Sequence, residues 1–288
     1  MYKIEMQSFL SKIFNFLLPS KCVLCHQFNA NVICNSCKKL LDDNLIKQRC
    51  FQCALPIGKP FSEIEATNNI GDEIRDEKID TSQSTTINQN KNYDLNHIRH
   101  AHDVQCGSCM IQPPSFDQTI TLTCYKEPLN QLIIALKFKK NLSIATILGN
   151  ALVTCLYQQL HAIGISKYCL VPIPLGKKRL SSRGYNQAAE IAQIISKKTR
   201  LPLNLYFIRR KKETIPQSNL AKTNRHKNMN NAFEVNFKYI NKLSTFDGGI
   251  ILVDDVMTSC ATMNAAAQIL KLYGAKHVIA LTAFRTPK

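Results

Sequence analysis

From Ser115 onward, apolar residues recur at intervals of three and four, separated by short runs in which nearly every position is apolar. Ile144, Ile147, Leu148, Ala151, Leu152, Cys155 and Leu156 trace one face of a helix. Ala188, Ile191, Ala192 and Ile195 repeat the spacing on a shorter helix. A third helix is predicted over Thr262–Tyr273, with Gly274 in the stop position. The short apolar runs predict strands at Gln118–Cys124, Tyr168–Ile173, Gly249–Val253 and His277–Phe284. Strands alternating with helices over short connections specify an α/β domain at 115–288, its parallel sheet covered on both faces.

The pattern before Ser115 is different. Residues 1–21 read as an amphipathic lead-in, because Lys12 interrupts the apolar patch and no small-residue cleavage site follows it. No run approaches the roughly 18 apolar residues that a membrane span needs. A cytoplasmic chain without membrane insertion is expected. Residues 57–104 are polar, have few apolar anchors and read as a flexible insertion. His97, His100 and His102 within it fit a solvated loop, with metal binding as the alternative.

The cysteines change the picture most. Eight of the twelve form four C-x-x-C pairs: Cys22/Cys25, Cys34/Cys37, Cys50/Cys53 and Cys106/Cys109. Two residues between thiolates let one turn aim both sulfurs at a single ion, and two such turns complete a tetrahedral shell. The expectation is two structural zinc sites in a small cysteine-rich region at 22–114. Iron is the alternative metal. Pairing in chain order is favoured, with crossed pairing open. Filled four-sulfur shells leave no position for catalysis. Of the remaining four cysteines, Cys124, Cys155, Cys169 and Cys260, three sit in apolar runs as core residues.

Charge points to an anionic partner. The chain carries +17 overall, but residues 61–105 hold nine acids against four bases, a net of −5 that leaves +22 on the rest. Such a surplus suits nucleic acid or a phosphorylated small molecule. Few aromatics accompany the basic runs, Tyr185 and Tyr206 being the nearest, so base stacking is weakly signalled.

One stretch joins acids to a phosphate-type turn. Asp254 and Asp255 follow the Gly249–Val253 run, and Thr258-Ser259-Cys260-Ala261-Thr262 leads into the third helix. Ligands of open parallel sheets bind beyond the carboxyl ends of the strands. Backbone N–H groups, hydroxyls and a helix N-terminus suit one phosphate there. The acids repel phosphate but accept hydrogen bonds from sugar hydroxyls, or order water around Mg²⁺. A phosphorylated ribose satisfies both halves.

These residues resemble a known family. "LVDDVMTSCATM" is similar to the phosphoribosyl-diphosphate (PRPP) loop of type I phosphoribosyltransferases. With "CVLC", "CNSC", "CFQC", "CGSCMIQPPSFD", "ALKF", "VPIPLGKKRLSSRGYNQ" and the run from Arg209 to Phe233, the chain resembles the ComF/GntX family of competence-associated proteins. The resemblance covers nearly all of the chain except 57–104 and implies a double zinc ribbon joined to a phosphoribosyltransferase domain.

By resemblance, Asp254 and Asp255 bind the ribose hydroxyls, and Thr258, Ser259, Cys260, Ala261 and Thr262 surround the 5′-phosphate. Lys177, Lys178, Arg179 and Arg183 serve the pyrophosphate. Arg225 lies in a basic segment, 209–228, that closes over the site. Mg²⁺–PRPP, single-stranded DNA and other competence proteins are the implied partners. The family has Thr-Thr-Gly where this chain has Thr258-Ser259-Cys260. A Cβ at a position of positive φ is strained, which counts against turnover. Three readings follow: a transferase with an unspecified acceptor, a non-enzymatic single-stranded DNA-binding factor, and an adaptor that senses PRPP.

Overall fold

A computed structural model describes residues 20–43, 49–57, 104–160, 165–211, 232–239, 243, 246 and 249–287. Most of the lead-in, nearly all of the acidic insertion with its three histidines, and Arg225 with most of the basic segment lie outside them.

Four parallel strands build the central sheet: β3 (Gln118–Cys124), β4 (Tyr168–Pro172), β7 (Gly249–Met257) and β8 (Val278–Arg285), in the order β3-β8-β7-β4. Their side chains alternate between two cores, as the two-residue period of a strand demands. Ile120, Leu122, Leu170, Ile251, Val253, Ile279 and Leu281 face one side. Cys169, Val171, Ile250, Leu252, Val278 and Ala280 face the other. The first face is covered by α3 (Asn130–Phe138), α4 (Ser143–Leu160) and α6 (Gln187–Thr199). The second is covered by α7 (Ala261–Leu272) and a two-stranded antiparallel ribbon of β5 (Ile208–Arg210) and β6 (Phe233–Val235). The α/β class with a parallel sheet is as the alternation of elements predicts.

Two glycines hold close approaches. A Cβ on Gly149 would sit 2.7 Å from Ile194 Cγ2, so glycine lets α4 press against α6. Gly249 opens β7 at φ +105°, where a Cβ would lie 2.1 Å from the His277 carbonyl oxygen.

Irregular segments pair with part of each sheet edge, which leaves fewer exposed pairing groups. Leu170 donates to Pro202 O at 2.8 Å along β4. Thr119 on β3 donates to Phe51 O at 3.0 Å, so the cysteine-rich region is hydrogen-bonded to the sheet. Half-buried Arg49 adds a bond from Nη1 to Thr121 O at 2.6 Å. That region contributes β1 (Ser20–Lys21), β2 (Phe28–Asn29), α1 (Asn35–Asp43) and α2 (Gly107–Ile111).

One boundary is corrected. The strand expected to end at Val253 continues to Met257 and carries both acids within it. β4 leaves the ladder at Pro172, opposite Val253, while β8 continues to pair as far as Met257 with Arg285. The acids therefore sit where β7 has lost one neighbour and kept the other. Among the free cysteines, Cys155 and Cys169 are buried and Cys124 is half-buried.

Candidate functional site

The four C-x-x-C pairs converge as two quartets, Cys22/Cys25/Cys34/Cys37 and Cys50/Cys53/Cys106/Cys109, with all sulfurs of each set within 4.8 Å of one another. Pairing thus follows chain order. The chemistry fits zinc: four soft ligands gathered round a point and backbone N–H groups aimed at sulfur. Cys34 N–H donates to Cys22 Sγ at 3.4 Å, and Cys53 and Cys106 N–H donate to Cys50 Sγ at 3.4 and 3.3 Å. A hydrogen bond from the Cys53 thiol, opposed by burial and helped by those amides, brings Cys50 down to about 4. Burial works against the Cys22 thiolate, but amide hydrogen bonds overcome it and lower the group to about 6. Each quartet thus has one sulfur ready as a thiolate, the form that binds metal.

The second constellation lies at the carboxyl edge of the sheet. Asp255 is buried and its Oδ2 is 2.6 Å from Lys137 Nζ, at the end of α3. Burial disfavours its charge, yet the adjacent Lys137 ammonium holds the carboxyl below its usual range, with Arg183 adding to the effect. Asp254 Oδ1 accepts from Asp255 N–H at 2.9 Å. Burial, and then the negative charge of Asp255, push Asp254 up to about 8. The two acids are therefore shifted apart: the lysine favours the anion at Asp255, and Asp254 holds its proton more tightly than a free carboxyl.

Beyond Met257 the chain turns through Thr258 and Ser259 into α7. Cys260 is the N-cap residue in the left-handed region (φ 65°), with no side-chain capping bond. The first turn of a helix offers unsatisfied N–H groups and a positive dipole end. Ser259 Oγ is buried with no hydrogen-bond partner among the described residues.

The "RGYNQ" segment locks the facing side. Gly184 closes α5 (Lys177–Arg183) at φ 83°, a conformation that glycine adopts without strain. The Tyr185 hydroxyl donates to Leu136 O, next to Lys137. Asn186 caps α6 through Oδ1 and donates from Nδ2 to Ile173 O at 2.9 Å, fixing the turn after β4. Arg183 Nη1 bonds Gln187 Oε1 at 3.1 Å. Lys177, Lys178 and Arg179 occupy the first turn of α5, with both lysines exposed.

Asp254, Asp255, the Thr258–Thr262 turn and Arg183 are thus gathered at one edge, with α5 following the turn after β4. Two residues at this edge had no role assigned from sequence. Lys137 is the lone charge in the apolar helix sequence "NQLIIALKF". Arg285 ends the otherwise uncharged strand "VIALTAFR" yet is only 3% exposed. A lone charge at the end of an apolar element was the available signal in both.

No described helix is long and apolar enough to cross a membrane. A double zinc ribbon domain model matches residues 13–70, which include the first quartet and Cys50 and Cys53. The chain is 30% identical to Competence protein F of Haemophilus influenzae over 175 residues, 60% of this chain and 75% of that protein. It is 31% identical to DNA utilization protein YhgH of Escherichia coli over 183 residues, 62% of this chain and 76% of that protein. The YhgH protein of Salmonella typhimurium is 28% identical over 174 residues, 60% of this chain and 74% of the relative.

Proposed function

The chain belongs to the ComF/GntX family, that of Competence protein F, and on this premise we propose that it binds Mg²⁺–PRPP and acts in competence or DNA use. The observation that carries the ligand is the arrangement at the end of β7. Two adjacent aspartates, one paired with Lys137, precede a turn of small hydroxyl residues opening a helix. Ribose hydroxyls would donate to Asp254 and Asp255, while the 5′-phosphate would accept from the amides and hydroxyls of Thr258–Thr262. Lys177, Lys178, Arg179 and Arg183 would face the pyrophosphate, with Arg225 as a further cation. Mg²⁺ would arrive with the substrate.

In a transfer reaction, pyrophosphate would leave ribose C1 and a nucleophile would take its place. The preorganised amides and cations would stabilise the departing charge. The acceptor is left open, and cytoplasmic residence follows from this reading. Titration calorimetry with Mg²⁺–PRPP tests the proposal. Micromolar binding that disappears in Asp254→Asn/Asp255→Asn supports it, and no heat in the wild type removes it. A pyrophosphate-release assay across nucleobases and single-stranded DNA then separates a transferase from a PRPP-sensing adaptor.

Single-stranded DNA is a second ligand, favoured by the +22 charge outside residues 61–105. Its binding should weaken steeply with salt as phosphate counterions are released. PRPP binding should instead depend on Mg²⁺.

A further inference from the structure

We propose that the metal-loaded second cysteine quartet is the support of the Met257–Thr262 turn, and that Arg285 is the positioning residue joining them. The buried guanidinium bonds both sides at once. Nε donates to Cys53 O at 2.7 Å. Nη1 donates to Met257 O at 3.0 Å, to Thr258 O and to Thr286 O at 2.9 Å. Nη2 reaches Cys260 Sγ at 3.5 Å. Cys53 is a member of the quartet, so one residue carries both a metal-facing sulfur and the carbonyl that anchors Arg285.

Packing follows the same line. Cys260 lies against the small core of Cys50, Cys53, Leu55 and Cys109. Its sulfur is therefore engaged by the cysteine-rich region, and these contacts offset the strain of its positive φ. The first quartet is placed differently: Cys22 and Cys37 belong to the core shared with α3 and α4. Short C-x-x-C turns depend on their metal for shape. Loss of metal from the second quartet would release the Cys53 carbonyl, then Arg285, then the turn. The claim about the turn stands on geometry, whereas its effect on PRPP rests on the function proposed above.

The test compares the full chain with Cys25→Ser, Cys106→Ser, Arg285→Gln and Arg285→Lys. Zinc content, Mg²⁺–PRPP affinity and the alkylation rate of Cys260 by iodoacetamide, located by mass spectrometry, are measured for each. Cys106→Ser should lose one zinc, alkylate at Cys260 about fivefold faster and bind PRPP about tenfold more weakly. Both Arg285 variants should keep two zincs and show the same two changes, because lysine keeps the charge without the fork. Cys25→Ser should lose one zinc and leave Cys260 at its wild-type rate. Unchanged Cys260 reactivity in Cys106→Ser or Arg285→Gln overturns the proposal, as does equal acceleration in Cys25→Ser. Should a variant not fold, zinc is drawn from the wild type with a chelator. Cys260 reactivity should then rise with release of the second zinc, and a flat rate overturns the proposal. A wild type that binds no PRPP removes the phosphoribosyl reading, while the alkylation rates still decide this one.

Discussion

Lys137 Nζ lies 2.6 Å from Asp255 Oδ2, joining the end of α3 to the overhanging part of β7. The pair holds a charge inside the fold that burial alone would neutralise. Removing one member strands the other, and a buried pair broken in this way typically costs 3–5 kcal/mol. Lys137 keeps 22% side-chain exposure. We therefore expect Lys137→Met to lower stability by about 3 kcal/mol, the low end of that range. Lys137→Met/Asp255→Asn should recover more than half of the loss. Urea denaturation of the wild type and the two variants measures both, and a double variant no better than the single one would exclude this ion pair as the cause.

The divided acids give opposite pH signatures. Asp254, at about 8 in the fold against 3.8 as a reference carboxyl, keeps a proton that the unfolded chain has released. Its contribution to stability is complete below about pH 4 and is lost as pH rises through about 8. Asp255 is shifted down, so its contribution is present above its unfolded value and is lost in strong acid, as pH falls through the folded value. Ligand binding runs against the Asp254 stability slope. If ribose hydroxyls require ionised Asp254, PRPP affinity should climb by up to about tenfold per pH unit and level off above about pH 8. Asp254→Asn should flatten both profiles; calorimetry from pH 6 to 9 and thermal melts from pH 4 to 9 read them.

The sheet, its two covered faces and the cysteine quartets were legible because each rests on local periodicity or spacing. Ile250 and Ile251 face opposite cores simply by being adjacent in a strand. Two features were hidden. Where β7 ends depends on its neighbours: β8 continues to Arg285 while β4 leaves at Pro172, and no property of residues 254–257 encodes that. The pairing of Lys137 with Asp255 spans more than a hundred residues and arises only when α3 packs on the sheet. Arg285 was invisible for the same reason, since its partners come from the cysteine-rich region and the turn.

The start of β7 tolerates no side chain. At Gly249 a Cβ would meet the His277 carbonyl oxygen at 2.1 Å in a backbone region that L-residues avoid. Gly249 N–H bonds Phe246 O at 2.9 Å and Ile250 N–H bonds His277 O at 2.8 Å, so the strand cannot shift without losing these bonds. Gly249→Ala should cost about 3 kcal/mol or more through clash and strain together. Gly274→Ala, also at positive φ but with open space around it, should cost only about 1 kcal/mol. Comparative thermal melts check the ranking, and equal losses would refute the part assigned to the His277 contact.

Cys260 separates strain from support at the turn. Its φ of 65° disfavours any side chain, and replacement by glycine should return about 1 kcal/mol. The same change removes the sulfur from Arg285 and from the ribbon core, a loss of similar size for a small apolar group. Cys260→Gly should therefore melt within about 1 kcal/mol of the wild type. Cys260→Val keeps the strain and worsens it through β-branching, and should fall about 2 kcal/mol below. Function should order the variants differently. Glycine opens the closest approach to an anion at the α7 N-terminus, so Cys260→Gly is expected to bind Mg²⁺–PRPP at least as well as the wild type. Pyrophosphate release measured beside affinity shows whether the cysteine limits turnover. A glycine variant that folds normally but loses PRPP binding would mean that the sulfur itself shapes the turn for its ligand.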